Sequence, residues 1–512
     1  MLVPLGIGDF LDRAALVYGD RTAVVDEPGV PGSWGSITYT ELQRRAWGMA
    51  RALDDMGVGM GERVAIVSPN AARFLCAFWG VSGFGRILVP VNYRLTGDEV
   101  AYIVEHSGAQ VVLVDPEYDA SMSAIGGKHR IVLDGADDAA LWAPADAPPE
   151  GAPWLTDEND TASINYTSGT TARPKGVQMT HRNCWVNATT FGWHMQVGDR
   201  DVYLHTLPMF HCNGWGMPYA VTGMGGRHIV IRKIDGEEIL RRIEQHGVTL
   251  MCGAPAVVAA VLDAATKRRV DGIAVPGGVR IVVAGAPPPS KSIERVETEL
   301  GWQFNQIYGL TETSPLLTIN RPRAEWDDLG AAERSRLLAR AGTPAVGVRI
   351  HIDQGEVCAR SNVVFAGYWE QPAETEKAIP DGSFHTGDGG YLDGAYVTIT
   401  DRRKDVIITG GENVSSIEVE DALFQHPAVA EVAVIGVPDE KWGEAIKALV
   451  VVREGQSVTE ADLIAFLRER MAGFKCPKSI EFRSELARTA TGKLQKFKLR
   501  QQYWEGFERQ VN

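Results

Sequence analysis

The chain has 512 residues, 45% of them hydrophobic, and a formal net charge of -14 from 65 acidic and 51 basic side chains. That length predicts two or more domains with a large core. The acidic balance argues against a general nucleic-acid binder, which carries a basic surface, but leaves room for a basic pocket. Six scattered cysteines (Cys76, Cys184, Cys212, Cys252, Cys358 and Cys476) form no CxxC pair, as in a reducing compartment. No basic segment followed by an apolar run opens the chain, and no apolar stretch reaches spanning length. A cytoplasmic protein without a transmembrane segment is expected.

In chain order, periodicity predicts a helix over 41–56 stopped by Gly57, and buried strands over 63–68, 86–91 and 110–115. Residues 136–151, rich in Asp, Ala and Pro, read as a loose connection. Strands are expected over 226–232 and 279–284, with a helix over 236–246 between them. The apolar stretch 251–262 contains Pro255 and reads as buried, while the charged stretch 322–341 reads as surface. A boundary near 400–405 precedes a helix over 417–424, strands over 429–437 and 447–452, and a helix over 460–471. This alternation predicts an α/β body with buried sheets, followed by a small α+β domain of roughly 110 residues.

The sharpest local signal is YTSGTTARPKG at 166–176. Hydroxyls from Thr167, Ser168, Thr170 and Thr171 surround Gly169, and Lys175 adds a positive charge. Donors on a tight turn can wrap anionic oxygens, and a lysine acts on phosphate as a point charge. The spacing is not that of a Walker loop, because Pro174 stands where glycine must precede the lysine. Composition alone also fits a Ser/Thr-rich surface loop.

Five segments together resemble the AMP-forming acyl-CoA synthetase family of the adenylate-forming superfamily, nearest to short- and medium-chain acid ligases. They are YTSGTTARPKG, QIYGLTET at 306–313, TGD at 386–388, DRRKDVIITGGENVSSIEVE at 401–420 and ARTATGKLQK at 487–496. The resemblance implies a large multi-subdomain N-terminal domain over 1–401 that binds ATP and acid, and a small mobile C-terminal domain over 402–512. It implies ATP, Mg²⁺ and coenzyme A as cofactors, with acyl-adenylate formed first and then thiol attack. Gathering phosphates and a carboxylate at one point requires cations and hydrogen-bond donors, and a moving lid can serve two half-reactions.

Carried onto this chain, the resemblance makes 166–176 the phosphate loop, with Ala172 where the pattern more often has glycine. Tyr308 would offer adenine an aromatic face, Thr311 would face the α-phosphate or acyl carboxylate, and Glu312 would hold Mg²⁺. Gly285 and Ala286 would line the nucleotide and acyl sites. Asp388 would accept from the ribose hydroxyls, with Arg402 reaching ribose or phosphate. Lys404 would be the hinge, and Gly410 and Gly411 would approach the thiol tunnel. Lys493, by itself a surface lysine, becomes the adenylation lysine that bridges carboxylate and α-phosphate.

The segment LPMFHCNGWGMPY at 207–219 resembles the family's acyl site, with His211 and Trp215 as pocket residues. Phe210, Trp215 and Met217 favour an acid with a nonpolar tail, with a medium-chain fatty acid and a place in lipid metabolism as the expectation. His205 and Cys212 lack zinc-site spacing and are not taken as a metal or nucleophile pair. Three competing readings are a ligase that loads a separate carrier protein, a luciferase-like oxidative enzyme and a non-catalytic nucleotide-binding protein. A homodimer is compatible with the sequence, which supplies no physical warrant for it.

Overall fold

Four sheets carry the fold of the computed structural model. It describes residues 3–136, 138–150, 157–167, 173–402, 405–409, 412–439, 441–488 and 494–505, with Arg402 described by its backbone alone. The first sheet has nine strands. Its parallel centre runs Gln303–Tyr308, Arg280–Val283, Leu250–Gly253, Val202–His205, Arg227–Val230 and Thr22–Val25. The second has seven strands, with Ile87–Val91, Arg63–Val67 and Ala109–Val114 parallel at its centre. Strand Thr161–Thr167 lies parallel to Ile87–Val91 and pairs antiparallel with Lys175–Thr180. Their near-continuous apolar runs fit strands covered on both faces.

A four-stranded antiparallel sheet, Arg349–Asp353 to Tyr396–Arg402, follows. The last sheet, built from strands between Ile407 and Phe482, has its own apolar core with Val419, Leu423, Leu463 and Leu467 from two helices. The chain is therefore a large N-terminal α/β domain with several buried sheets and a smaller C-terminal α+β domain. The two touch where Asp421 Oδ1 accepts from the Ser290 N–H at 2.9 Å.

Most predicted elements form within a few residues of their expected ends. The helix expected over 41–56 spans Tyr39–Asp55 because Thr38 caps it through the Glu41 N–H, and Gly57 takes φ +73° after it. The helix Gly236–His246 has the predicted bounds. The apolar stretch 251–262 divides into strand Leu250–Gly253 and helix Pro255–Val270, with Pro255 at the first helical turn. The stretch 322–341 holds helix Ala331–Leu338, which buries Ser335 and Leu338.

The reading of 136–151 as a loose connection needs correction. It has neither helix nor strand among its described residues, yet it buries Leu141 and Trp142 and anchors the fully buried Asp138. Asp138 Oδ2 accepts from Arg73 Nε at 2.6 Å and Trp142 Nε1 at 2.9 Å, and Oδ1 accepts from the Gly135 N–H at 2.7 Å. All six cysteines are free and buried. Among the described residues no helix is long and apolar enough to cross a membrane.

Candidate active site

Gly285, Tyr308 and the segment 207–219 lie where parallel strands of the first sheet end. Val283 pairs with Gln306, so the chains leaving these two neighbouring strands place Gly285 and Tyr308 at the same sheet edge. Strand Val202–His205 ends on that edge and leads into 207–219. In open α/β sheets this crevice beyond the carboxyl ends is where ligands bind. Gly285 has φ +90°, a conformation that favours glycine, and Ala286 follows it half-buried.

At one end of the crevice the Tyr308 hydroxyl donates to Asp388 Oδ2 at 2.8 Å. The Tyr308 ring packs against Leu317, Ala359 and Val363 and against Val357 and Val397. The tyrosine expected to face adenine is therefore tied to the aspartate expected to face ribose. Asp388 lies opposite Arg402 across the sheet, and its N–H donates to Thr386 Oγ1 at 3.1 Å. Gly387 N–H donates to Glu356 Oε1 at 2.7 Å. Gly309 makes the turn after Tyr308 possible, because a Cβ there would lie 1.5 Å from the Pro315 carbonyl oxygen.

On the seven-stranded sheet, Lys175 forms an ion pair with Glu374, and its ammonium lies 4.8 Å from the centre of the Tyr368 ring. Tyr368 donates its hydroxyl to Glu312 Oε1 at 2.9 Å. Burial, then the Glu312 charge, pushes the Tyr368 phenol up, so it remains a protonated donor. Lys175 in turn holds the Glu374 carboxyl below its ordinary range. Glu312 sits in the 3-10 turn Thr311–Thr313, fixed by the Phe365 N–H donating to the Glu312 carbonyl at 2.8 Å. Thr311 begins that turn. Lys175 and Glu312, opposite charges far apart in sequence, are thus joined through one phenol.

These residues fit Mg²⁺. The ion dehydrates reluctantly and binds through one or two carboxylates plus phosphate oxygens. Among the described residues no cluster of three or more His, Cys, Asp or Glu could hold a metal by itself. Glu312 would supply the protein ligand, beside a lysine suited to phosphate.

The acyl segment contains a left-handed turn. Cys212, Asn213, Gly214, Trp215 and Gly216 take φ of 49°, 49°, 57°, 60° and 78°. Left-handed backbone costs L-residues about 1–2 kcal/mol each, so surrounding contacts must hold the turn. Asn213 Nδ2 donates to Ser163 Oγ at 2.8 Å, Asn165 Nδ2 donates to Asn213 Oδ1 at 3.2 Å, and Asn187 Nδ2 donates to the Trp215 carbonyl at 3.1 Å. Trp215 is buried and His211 half-buried. Burial pushes the Cys212 thiol up, and the Cys184 and Glu312 charges add to it.

His205 is a core residue. Its Nε2 lies 3.0 Å from His228 Nδ1, and His228 Nε2 lies 2.9 Å from Thr222 Oγ1. Burial and the neighbouring His228 hold the His205 imidazole well below its ordinary range. The His205 imidazole is thus engaged with His228, and the Cys212 thiol is free and buried.

Sequence reasoning missed Tyr368, Glu374 and Glu356. A lone Tyr or Glu outside a recognised motif gives no signal; strand pairing brought Tyr368 and Glu356 to their neighbours, and helix Pro372–Ala378 carries Glu374 to Lys175. Ser168, Gly169, Thr170, Thr171, Lys404, Gly410, Gly411 and Lys493 lie outside the described residues, while Thr167 pairs with Lys175 at the loop's base.

Lys175 and Glu312 thus meet through Tyr368, and Tyr308 meets Asp388. Residues 11–369 match the AMP-binding enzyme family, and residues 418–493 match the AMP-binding enzyme C-terminal domain. The chain belongs to this family: it is an ATP-dependent ligase that activates a carboxylic acid through an acyl-AMP intermediate. It is 37% identical to the 2-methylpropanoate–CoA ligase CCL4 of Humulus lupulus, over 98% of this chain and 94% of that protein. It is 36% identical to the 4-hydroxybutyrate–CoA ligase 2 of Metallosphaera sedula, over 96% and 93%. The structure of the anthranilate CoA ligase AuaEII in complex with anthranoyl-AMP superposes with a TM-score of 0.87 at 26% identity, covering 98% of both chains.

Proposed function

We propose that the chain transfers its activated acyl group to coenzyme A, and that its acid is an apolar organic acid of medium length. The observation that carries the reading is the joining of Lys175 to Glu312 through Tyr368, with the Glu312 charge also acting on the buried Cys212 of the left-handed turn. This supports a pairing of phosphate-binding charge with an apolar segment, which activation of an apolar acid requires. The names of the relatives, CoA ligases for small organic acids, support the thiol acceptor.

In this reading a carboxylate oxygen attacks the α-phosphorus and pyrophosphate leaves. Lys175 exchanges Glu374 for phosphate oxygens. Bound Mg²⁺ would neutralise phosphate charge, with Glu312 as its protein ligand. Asp388 accepts from the ribose hydroxyls with Tyr308 fixing its orientation, Arg402 supports ribose or phosphate, and Thr311, His211 and Gly285–Ala286 border the reacting carboxylate. Lys493 supplies the ammonium between carboxylate and α-phosphate. In the second half-reaction the coenzyme A sulfur attacks the acyl carbon, the acyl carbon–oxygen bond breaks, AMP leaves, and the thiol proton passes to solvent. A C-terminal domain beginning at residue 402, hinged at Lys404, brings Gly410 and Gly411 to the thiol path.

The test is a screen of short, medium, branched and aryl acids with ATP and coenzyme A, reading AMP and thioester. Medium-chain acids should give the highest kcat/KM. A thioester formed only on a phosphopantetheinylated carrier protein would overturn the acceptor. Lys493→Ala should abolish most adenylation while sparing transfer from supplied acyl-adenylate; equal loss in both would contradict its role.

A further inference from the structure

The helix Gly97–Ser107 belongs to no motif, yet it touches both stems of the hydroxyl-rich loop. It starts at a capping box in which Thr96 and Glu99 satisfy each other's backbone N–H, and it ends at Gly108 with φ +64°. Val100, Ile103, Val104 and Ser107 are buried beneath it. Tyr102 and His106, one turn apart, share another face, with ring centres 5.4 Å apart.

That face meets the loop twice. On the incoming stem, His106 Nδ1 lies 2.8 Å from the Tyr166 hydroxyl, with the rings edge-on at 85°. On the outgoing stem, the Arg173 guanidinium lies 5.3 Å from the centre of the Tyr102 ring, and the Tyr102 hydroxyl donates to the Pro174 carbonyl at 3.5 Å. The stems are themselves paired, Tyr166 with Gly176 and Thr167 with Lys175. A Cβ on Gly176 would come within 3.1 Å of Tyr166 Cζ, so the tyrosine ring lies close over the glycine of the opposite stem. A shift of Tyr166 would therefore carry Thr167 and Lys175 with it.

We infer that Tyr102 and His106 are positioning residues for the ATP half-reaction: by clamping the two stems they fix where the Thr167 hydroxyl and the Lys175 ammonium meet phosphate. The role is confined to the half-reaction that handles pyrophosphate, and for its second readout the inference rests on coenzyme A as acceptor. A polar contact of this kind contributes about three- to tenfold in an equilibrium.

The experiment compares His106→Leu, His106→Asn and Tyr166→Phe with the wild type. It measures the KM for ATP and for acid in ATP–pyrophosphate exchange, thioester formation from supplied acyl-adenylate, and Tm. His106→Leu and Tyr166→Phe should each raise the ATP KM about three- to tenfold, the combined variant should be no worse than either, and the acid KM should hold. His106→Asn, whose amide can take the place of Nδ1, should restore most of the loss. Thioester formation from acyl-adenylate should stay within about twofold of wild type, because pyrophosphate has left by then. An unchanged ATP KM in a folded His106→Leu protein, multiplying losses in the combined variant, or equal damage to both half-reactions would overturn the inference. Tyr166→Phe removes a single oxygen and keeps the test open if His106→Leu does not fold. Failure of the wild type to make thioester would instead refute the acceptor reading, leaving the exchange measurements to decide the clamp.

Discussion

Tyr368→Phe probes the link between Lys175 and Glu312, the proposed phosphate lysine and metal carboxylate. The substitution keeps the ring beneath Lys175 and removes only the 2.9 Å hydrogen bond to Glu312 Oε1. A hydrogen bond to a charged partner contributes about 1.5–3 kcal/mol. Tyr368 is half-buried and water can partly replace it, so the lower end applies. About 1.5 kcal/mol is roughly a tenfold fall in kcat/KM for ATP. Tyr368→Leu also removes the aromatic face, and a cation–π contact contributes about 0.5–1 kcal/mol, a further two- to fivefold. The assay is ATP–pyrophosphate exchange at saturating acid, with ATP and Mg²⁺ varied separately. A folded Tyr368→Phe enzyme with wild-type kcat/KM would refute the Glu312 link, and a Leu variant no worse than Phe would refute the Lys175 link.

Other perturbations test the scaffold around the site. Gly309→Ala places a Cβ 1.5 Å from the Pro315 oxygen and should cost about 3 kcal/mol or more, read as lost soluble protein or lost exchange. Asp138→Ala strands the buried Arg73 and should cost about 3–5 kcal/mol in urea unfolding, while a surface Asp146→Ala should be nearly silent. His228 is pushed down to about 3 by burial, below the unfolded value of about 6.5. The unfolded chain therefore binds the proton first. The histidine's contribution is whole above pH 6.5 and is lost as pH falls toward 3, by up to about 1.4 kcal/mol per pH unit. Burial also holds His205 and His181 down, adding slopes of the same sign, so urea unfolding between pH 7 and pH 5 should lose stability on acidification and His228→Gln should reduce that loss without abolishing it.

What the sequence by itself determined was the local chemistry. Hydroxyls, glycine and lysine packed into 166–176 point to an anion site, because the donors and the charge come from a few neighbouring residues. YGLTET and TGD were legible through their likeness to a family. The helix Gly236–His246 was legible from its own period and caps, since Asp235 accepts from the Glu238 N–H and Gly247 takes φ +66°. None of these required a distant partner.

Only the tertiary structure decided which residues meet. Tyr368 reaches Lys175 and Glu312 because strand Gly367–Tyr368 pairs beside Lys175–Thr180, nearly two hundred residues earlier in the chain. Asp138 looked like part of a loose linker until Arg73 and Trp142 closed on it. Helix Gly97–Ser107 carried no motif, since a tyrosine and a histidine one turn apart acquire meaning only against Tyr166 and Arg173. The left-handed turn at Cys212–Gly216 is the sharpest case. Three of its five residues disfavour that backbone locally, and it is held by Asn165, Asn187 and Ser163 from other elements. Local propensity cannot report a conformation that distant hydrogen bonds stabilise against it.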